Sequence, residues 1–303
     1  PDHTLLSPDR HLTLTLSAHD TLTYHITFHD RPVILPSPLG LTFQGLDLAS
    51  GWTLTTTRTA EVRETITPPF WDRDTIANYY NELAVDLAIG RRRLTLTFRA
   101  FDGAVAFRYT LAGFGAFEVV GENTRFRLPA GSMVYYERGT EGEYLRVAAA
   151  EMPAGSERPL TIEFPGGYYG AIHEADLCDY PMMLLSPAVG EPGTLVTDLQ
   201  GAWAGHDTLT TPWRVVFAAD HPGRLMENNV VIYALNPPPA GGDAAYLRPG
   251  KAIREVTLST EGGLACVDFA AAHGLQYIEY DAGWYGPEGD SASDASTVTV
   301  DPA

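Results

Sequence analysis

The chain has 303 residues, of which 45% are hydrophobic and 19% charged, a composition that excludes wholesale disorder and predicts a globular protein of about two domains. Its 38 acidic residues outnumber the 20 Lys and Arg, and the formal net charge of −18 disfavours nucleic acid and anionic membrane surfaces as partners. No apolar run reaches the ~18 to 20 residues that a membrane helix needs, so no membrane partner is expected.

Most of residues 11–235 alternate between apolar and polar side chains, which is typical of half-buried β-strands. Asp102-Gly103 stands between two such runs and predicts a tight hairpin turn, and the glycine-rich string at 166–170 is interpreted as a further turn. Helical periodicity is almost absent. The pattern predicts a mainly β fold, a large antiparallel two-sheet sandwich, with strands at residues 11–16, 21–28, 83–89, 94–98, 105–109, 118–120, 145–149, 160–164, 195–199, 213–217 and 230–235.

Residues 236–242 include three consecutive prolines, which cannot continue a β ladder because proline has no N–H to donate. A linker is therefore predicted at 236–245. Beyond it, the sequence predicts a strand at 251–256, a helix at 260–273 and a strand at 275–281, which together form a parallel βαβ unit. Because one such unit cannot cover both faces of a parallel sheet, we expect the sequence to be a fragment of a longer polypeptide.

Several other signals are weak or absent. Cys178 and Cys266 belong to no CxxC or Cys/His cluster, so two buried thiols are expected and not a disulfide or a zinc site. No HxH, HExxH or GxSxG string occurs, which gives no support to transition-metal or serine-hydrolase chemistry. His206 and His273 are interpreted as ordinary surface residues, and Lys251 as a solvated side chain at a domain junction.

Ten short strings, taken in their order along the chain, resemble glycoside hydrolase family 97. They are SPD at 7–9, NYYNEL at 78–83, EADL at 174–177, YP at 180–181, TPWRV at 211–215, ENNV at 227–230, LNPP at 235–238, RPGK at 248–251, QYI at 276–278 and DAGW at 281–284. The resemblance implies an N-terminal β-super-sandwich at 1–235, the linker at 236–245, and the truncated start of a catalytic (β/α)8 barrel at 246–303. The C-terminal part of that barrel would be missing from this sequence.

The resemblance also implies an activity. The family acts on α-linked glucosides or galactosides with calcium in the active site, so the expected partners are an oligosaccharide or α-glycoside substrate and calcium. Its catalytic carboxylates lie on later barrel strands, which places the catalytic residues beyond residue 303. A periplasmic or secreted location is implied as well. The alternative is a non-catalytic carbohydrate-binding or scaffold module, because a sandwich alone implies no activity.

Three residues are candidates for a site. Asp281 ends the second barrel strand, where barrel enzymes make substrate contacts, and Trp284 could stack on a sugar ring; otherwise Asp281 caps the next loop and Trp284 is packing. The resemblance implies that Glu174, expected on a loop of the sandwich, is a calcium ligand shared with barrel carboxylates; otherwise it is a solvated loop carboxylate. Arg254 and Glu255 could point into the barrel mouth, which the sequence does not decide.

Overall fold

The computed structural model describes residues 2–18, 21–46, 48, 51–68, 72–237 and 248–297. Two compact units, Pro1–Pro238 and Pro239–Ala303, divide the chain. The division lies within the linker predicted at 236–245, of which residues 238–245 fall outside the described part of the chain. Among the described residues, no helix is both long and apolar enough to cross a membrane.

The first unit is mainly β, as predicted. Its described strands are β1 (Asp2–Leu6), β2 (Leu12–Ala18), β3 (Leu22–Phe28), β4 (Arg31–Pro38), β5 (Leu41–Phe43), β6 (Thr53–Ile66), β7 (Ile76–Ile89), β8 (Arg92–Phe101), β9 (Ala104–Ala112), β10 (Ala116–Glu122), β11 (Arg125–Arg127), β12 (Met133–Tyr136), β13 (Leu145–Ala148), β14 (Leu160–Phe164), β15 (Tyr168–Ala175), β16 (Met183–Pro187), β17 (Thr194–Leu199), β18 (Trp203–His206), β19 (Leu209–Thr210) and β20 (Trp213–Ala219). A short 3-10 helix, Ala149–Glu151, follows β13.

These strands form three antiparallel sheets. One sheet has the order β1-β2-β3-β4-β11-β17-β16, and a small one has the order β18-β10-β5. The largest has the order β13-β12-β14-β15-β20-β9-β8-β7-β6, with β19 pairing beside β9. Asp102 and Gly103 form the predicted turn between β8 and β9, and Gly166 and Gly167 turn between β14 and β15 with positive φ. Both turn predictions are confirmed.

Two apolar layers hold the first unit together. The inner layer lies between the two larger sheets and includes the fully buried Leu12, Leu14, Val85 and Phe98. Because successive side chains of a strand point to opposite faces, the same strands also supply an outer layer. That outer layer includes Trp213, Val215 and Phe217 and is covered by helices. Burying one large apolar side chain contributes about 1.5–3 kcal/mol, so the alternating pattern stabilises both faces of the largest sheet.

The helices over this outer layer correct one sequence prediction. Residues 230–235 were expected to form a strand, but they form the helix α2 (Val230–Leu235), which follows α1 (Pro222–Glu227). The α1 helix begins with Pro at its first position, and the His221 imidazole accepts a hydrogen bond from the Gly223 N–H. In α2, Val231 and Leu235 are buried four residues apart, which is helical spacing. A run in which every residue is apolar has no apolar–polar periodicity, so its secondary structure depends on packing against the rest of the fold.

The second unit contains the predicted βαβ arrangement. It consists of β21 (Ala252–Glu255), α3 (Thr260–His273) and β22 (Tyr277–Tyr280), with the two strands parallel, and a 3-10 helix follows at Ala295–Thr297. Ser259 accepts a hydrogen bond from the Gly262 N–H at the start of α3, and Gly274 ends the helix at φ 68°. The helix has the predicted bounds, residues 260–273.

The cysteines differ in part from expectation. Both thiols are free, as predicted, but Cys178 is exposed and Cys266 only partly buried. Cys178 lies in the loop after β15, between Asp176 and Asp179, which both adopt positive φ. A loop that turns this sharply holds the thiol at the surface, where the general burial preference of cysteine does not apply.

Candidate functional site

Glu174 lies on a strand, which corrects the expectation that it sits on a loop. It belongs to β15, where it pairs in register with Arg214 of β20. Its side chain is 3% exposed, so it is not a solvated carboxylate either. The strand continues through Ala175 because the residues on both of its faces are buried, with Ile172 in the inner layer and Ala171 in the outer layer.

Glu174 belongs to a buried ion-pair network made of Glu122, Arg158, Glu174 and Arg214. Arg214 Nη1 donates to Glu174 Oε2 at 2.7 Å, and Arg158 Nε lies 2.5 Å from Glu174 Oε1. Arg214 also donates to Glu122, through Nε at 3.1 Å and Nη2 at 2.5 Å. The network therefore joins β10 of the small sheet to β15 and β20 of the largest one.

The electrostatics of the network are set by its burial. Burial alone would lower the pKa of the Arg214 guanidinium, but Glu122 and then Glu174 outweigh it and raise that pKa above its ordinary value. Tyr180 donates its O–H to Glu122 Oε1 at 3.2 Å. Burial first, and Glu122 second, raise the pKa of the Tyr180 hydroxyl. Arg214 is therefore protonated, as its ion pairs with Glu122 and Glu174 require, and the Tyr180 hydroxyl keeps the proton that it donates to Glu122.

The described residues do not by themselves form a calcium site around Glu174. Calcium takes six to eight oxygen ligands at about 2.3–2.6 Å, whereas both Glu174 oxygens already face guanidinium groups. In the described part of the chain, no group of three or more His, Cys, Asp or Glu side chains could hold a metal ion. The role of Glu174 as one ligand of a calcium site shared with further carboxylates stays a prediction.

Asp281 and Trp284 follow the second parallel strand. Asp281 comes directly after β22, and its carboxylate forms an ion pair with Arg254 of β21. Trp284 is 46% exposed and meets Tyr285 edge-on, with ring centroids 5.2 Å apart. Trp284 also lines an open groove of 770 Å³ together with Leu264 and Tyr280. Both side chains are about half exposed beyond the carboxyl end of β22, and the groove beside Trp284 lies on the α3 side of the strand.

The structure decides the orientations of Arg254 and Glu255. Glu255 is 3% exposed and accepts hydrogen bonds from the N–H groups of Thr257 and Leu258 at 2.8 and 2.5 Å. The hydroxyl of Thr257, and then these N–H groups, lower the pKa of the Glu255 carboxyl. Glu255 therefore holds the loop that starts α3, while Arg254 reaches Asp281. Lys251 and His273 are exposed, as predicted.

Glu122 and Arg214 were not predicted as site residues, although the sequence around Arg214 contained one indication of its role. Arg214 stands in the run Trp213–Ala219, in which every residue is buried. A charged residue inside a fully buried strand needs a buried partner of opposite charge. That rule predicts an acidic partner, but the identity of Glu122, 92 residues away, depends on the fold.

The fold defines a class of protein, in which a large antiparallel β-sandwich is followed along the chain by a parallel βαβ unit. The model of the glycosyl-hydrolase 97 N-terminal family matches residues 5–238, and the chain belongs to this family. A retaining alpha-galactosidase of Bacteroides thetaiotaomicron is 26% identical over 93% of this chain and 50% of that relative. A probable retaining alpha-galactosidase of Streptomyces bingchenggensis is 29% identical over 87% of this chain and 43% of that relative.

A solved structure is similar in fold. A glycoside hydrolase family 97 enzyme from Pseudoalteromonas sp. strain K8, in complex with panose, superposes with a TM-score of 0.83 at 24% identity. The match covers 93% of this chain and 49% of that one. The chain spans about half the length of the curated relatives it matches. The resemblance stated from the sequence is confirmed.

Proposed function

We propose that this chain is the N-terminal portion of a glycoside hydrolase that cleaves α-linked galactosides or glucosides. The family match over residues 5–238 carries the proposal. Two relatives named as retaining alpha-galactosidases favour an α-galactoside and a retaining course. A structural neighbour solved with panose supports an oligosaccharide as the class of substrate.

In this proposal the two units have different roles. The sandwich supports a catalytic (β/α)8 barrel that begins with β21, α3 and β22. Asp281 accepts hydrogen bonds from sugar hydroxyls at the carboxyl edge of the strands, and Trp284 stacks on the apolar face of the ring. The general acid and its partner carboxylate lie beyond residue 303. Calcium and a periplasmic or secreted location stay predictions, and no step of this proposal depends on them.

The test is a comparison of two proteins. The 303-residue chain and the complete product of its gene are each assayed with p-nitrophenyl α-galactoside and α-glucoside. We expect turnover only where the carboxylate pair is present, because general acid catalysis alone contributes ~10²–10⁴-fold. NMR of the first-formed sugar anomer then tests retention, for which the α-anomer is expected.

A matched pair of variants tests the substrate contact in the complete protein. Asp281→Asn lowers kcat/KM by on the order of 10- to 100-fold, as expected for a charged hydrogen bond to substrate. Asp86→Asn, which breaks an ion pair within the first unit, leaves kcat/KM unchanged. Turnover by the 303-residue chain alone would contradict this placement of the chemistry. Sugar binding without turnover by either protein would favour the non-catalytic module.

A further inference from the structure

The two faces of the β21–β22 pair carry different side chains. Glu255 and Tyr280 point toward α3, because they occupy the space that a Cβ at Gly262 or Gly263 would take. Side chains alternate along a strand. Arg254, which pairs in register with Glu279, therefore lies on the face turned away from the helix.

On that face, Arg254 reaches the end of the neighbouring strand. Its Nη2 pairs with Asp281 Oδ2, and the two side chains are 58% and 48% exposed. Because the strands are parallel, their carboxyl ends meet at one edge of the sheet. An exposed ion pair contributes little to stability, so the fold of this unit does not depend on it.

We propose that Arg254 is a positioning residue that holds the Asp281 carboxylate for binding a sugar hydroxyl. The inference rests on the proposed function, in which Asp281 contacts the substrate. In (β/α)8 barrels the face turned away from the helices is the interior, and substrates bind at the carboxyl ends of the strands. Arg254 Nη2 contacts Asp281 Oδ2, and because a carboxylate has about four lone-pair sites, Asp281 can accept from a sugar hydroxyl while it is paired with Arg254. A carboxylate fixed in this way loses less orientational freedom on binding.

The experiment uses the complete product of the gene with p-nitrophenyl α-galactoside and α-glucoside. Arg254→Gln should lower kcat/KM by on the order of 10- to 100-fold. Arg254→Lys, which keeps the charge, should recover part of this loss. In the Asp281→Asn background, Arg254→Gln should have almost no further effect, because a residue that acts through Asp281 is not additive with it. Coupling in kcat/KM with an unchanged Tm distinguishes positioning from a purely structural role, which would lower the Tm as well.

Arg58→Gln is the matched control, because it removes an Arg–Asp ion pair from the first unit. The control should leave kcat/KM unchanged, and thermal unfolding should show the same Tm for the Arg254 and Arg58 variants. If wild type is active and Arg254→Gln equals the control, or if its effect adds fully to that of Asp281→Asn, this inference is overturned alone. A wild type that neither binds nor hydrolyses the sugars overturns the proposed function and this inference together.

Discussion

Arg214 carries a full charge in the interior of the sandwich, and we expect its removal to lower the free energy of unfolding. The side chain is 0% exposed and binds both Glu122 and Glu174. Arg214→Met leaves two buried carboxylates without their shared cation, so we expect the free energy of unfolding to fall by about 3–5 kcal/mol. Urea unfolding of the 303-residue chain, followed by circular dichroism, measures the loss.

The control for Arg214 is an exposed pair of the same chemistry. Arg58, with a side chain 55% exposed, binds Asp86 on the neighbouring strand. Arg58→Gln should cost no more than about 1 kcal/mol, since water and salt screen such a pair. Equal losses for the two variants would contradict the argument that burial makes the Arg214 network costly to break.

His173 should give the stability of the first unit a specific pH dependence. Burial, and secondarily the Arg158 charge, lower the pKa of the His173 imidazole to about 4. In the unfolded chain the same group titrates near ~6.5, so the unfolded state takes up the proton first as the pH falls. The contribution of His173 to the free energy of unfolding is therefore fully present above about pH 6.5. It is lost as the pH falls toward 4, by at most roughly 3 kcal/mol.

Replacing the His173 imidazole tests the predicted direction of this pH dependence. His173→Gln should reduce the slope of unfolding free energy against pH between pH 4 and 6.5. His206→Gln, at an exposed position of β18, should keep the wild-type slope because His173 is still present. The same slope in wild type and His173→Gln would show that the imidazole is not the group responsible.

At the scale of secondary-structure elements, local sequence patterns predicted those strands, turns and helices that depend on local interactions. Alternation predicted the strand at 11–16, which the structure shows as Leu12–Ala18, and Asp102-Gly103 predicted the turn between β8 and β9. The sequence also predicted α3 and the strands on either side of it. Each of these patterns is complete within about 15 residues, as the physics of strands, turns and helix caps requires. Predictions of this kind need no knowledge of distant contacts.

Other elements depend on contacts that the sequence does not display. The run Val230–Leu235 is helical because Val231 and Leu235 pack on the outer layer of the largest sheet. Glu174 is buried because β15 pairs with β20 across 40 residues of sequence and brings Arg214 beside it. Asp281 and Arg254 were each noted from the sequence, but only the parallel register joins them. These features could not be predicted because the sequence does not show which distant segments pair with each other.

At the scale of the whole molecule, the two units differ in how well they cover their apolar side chains. The first unit contains both apolar layers. In the second, Leu264, Val267, Phe269 and Tyr280 are 64%, 50%, 47% and 42% exposed. Two parallel strands with one helix leave apolar surface open to water, and such surface gives little resistance to local unfolding.

This difference predicts unequal hydrogen exchange within the 303-residue chain. Amides of β22 should exchange orders of magnitude faster than those of β8 and β9, because local opening there does not require breaking the buried core of the first unit. Mass spectrometry of deuterium uptake, with peptides spanning 277–280 and 94–109, measures both regions in one sample. Size-exclusion chromatography of the same sample is the control, since self-association would cover the apolar face and slow exchange. Slow exchange across 277–280 in a monodisperse monomer would contradict the prediction, because it would mean that the βαβ unit is stable despite its exposed surface.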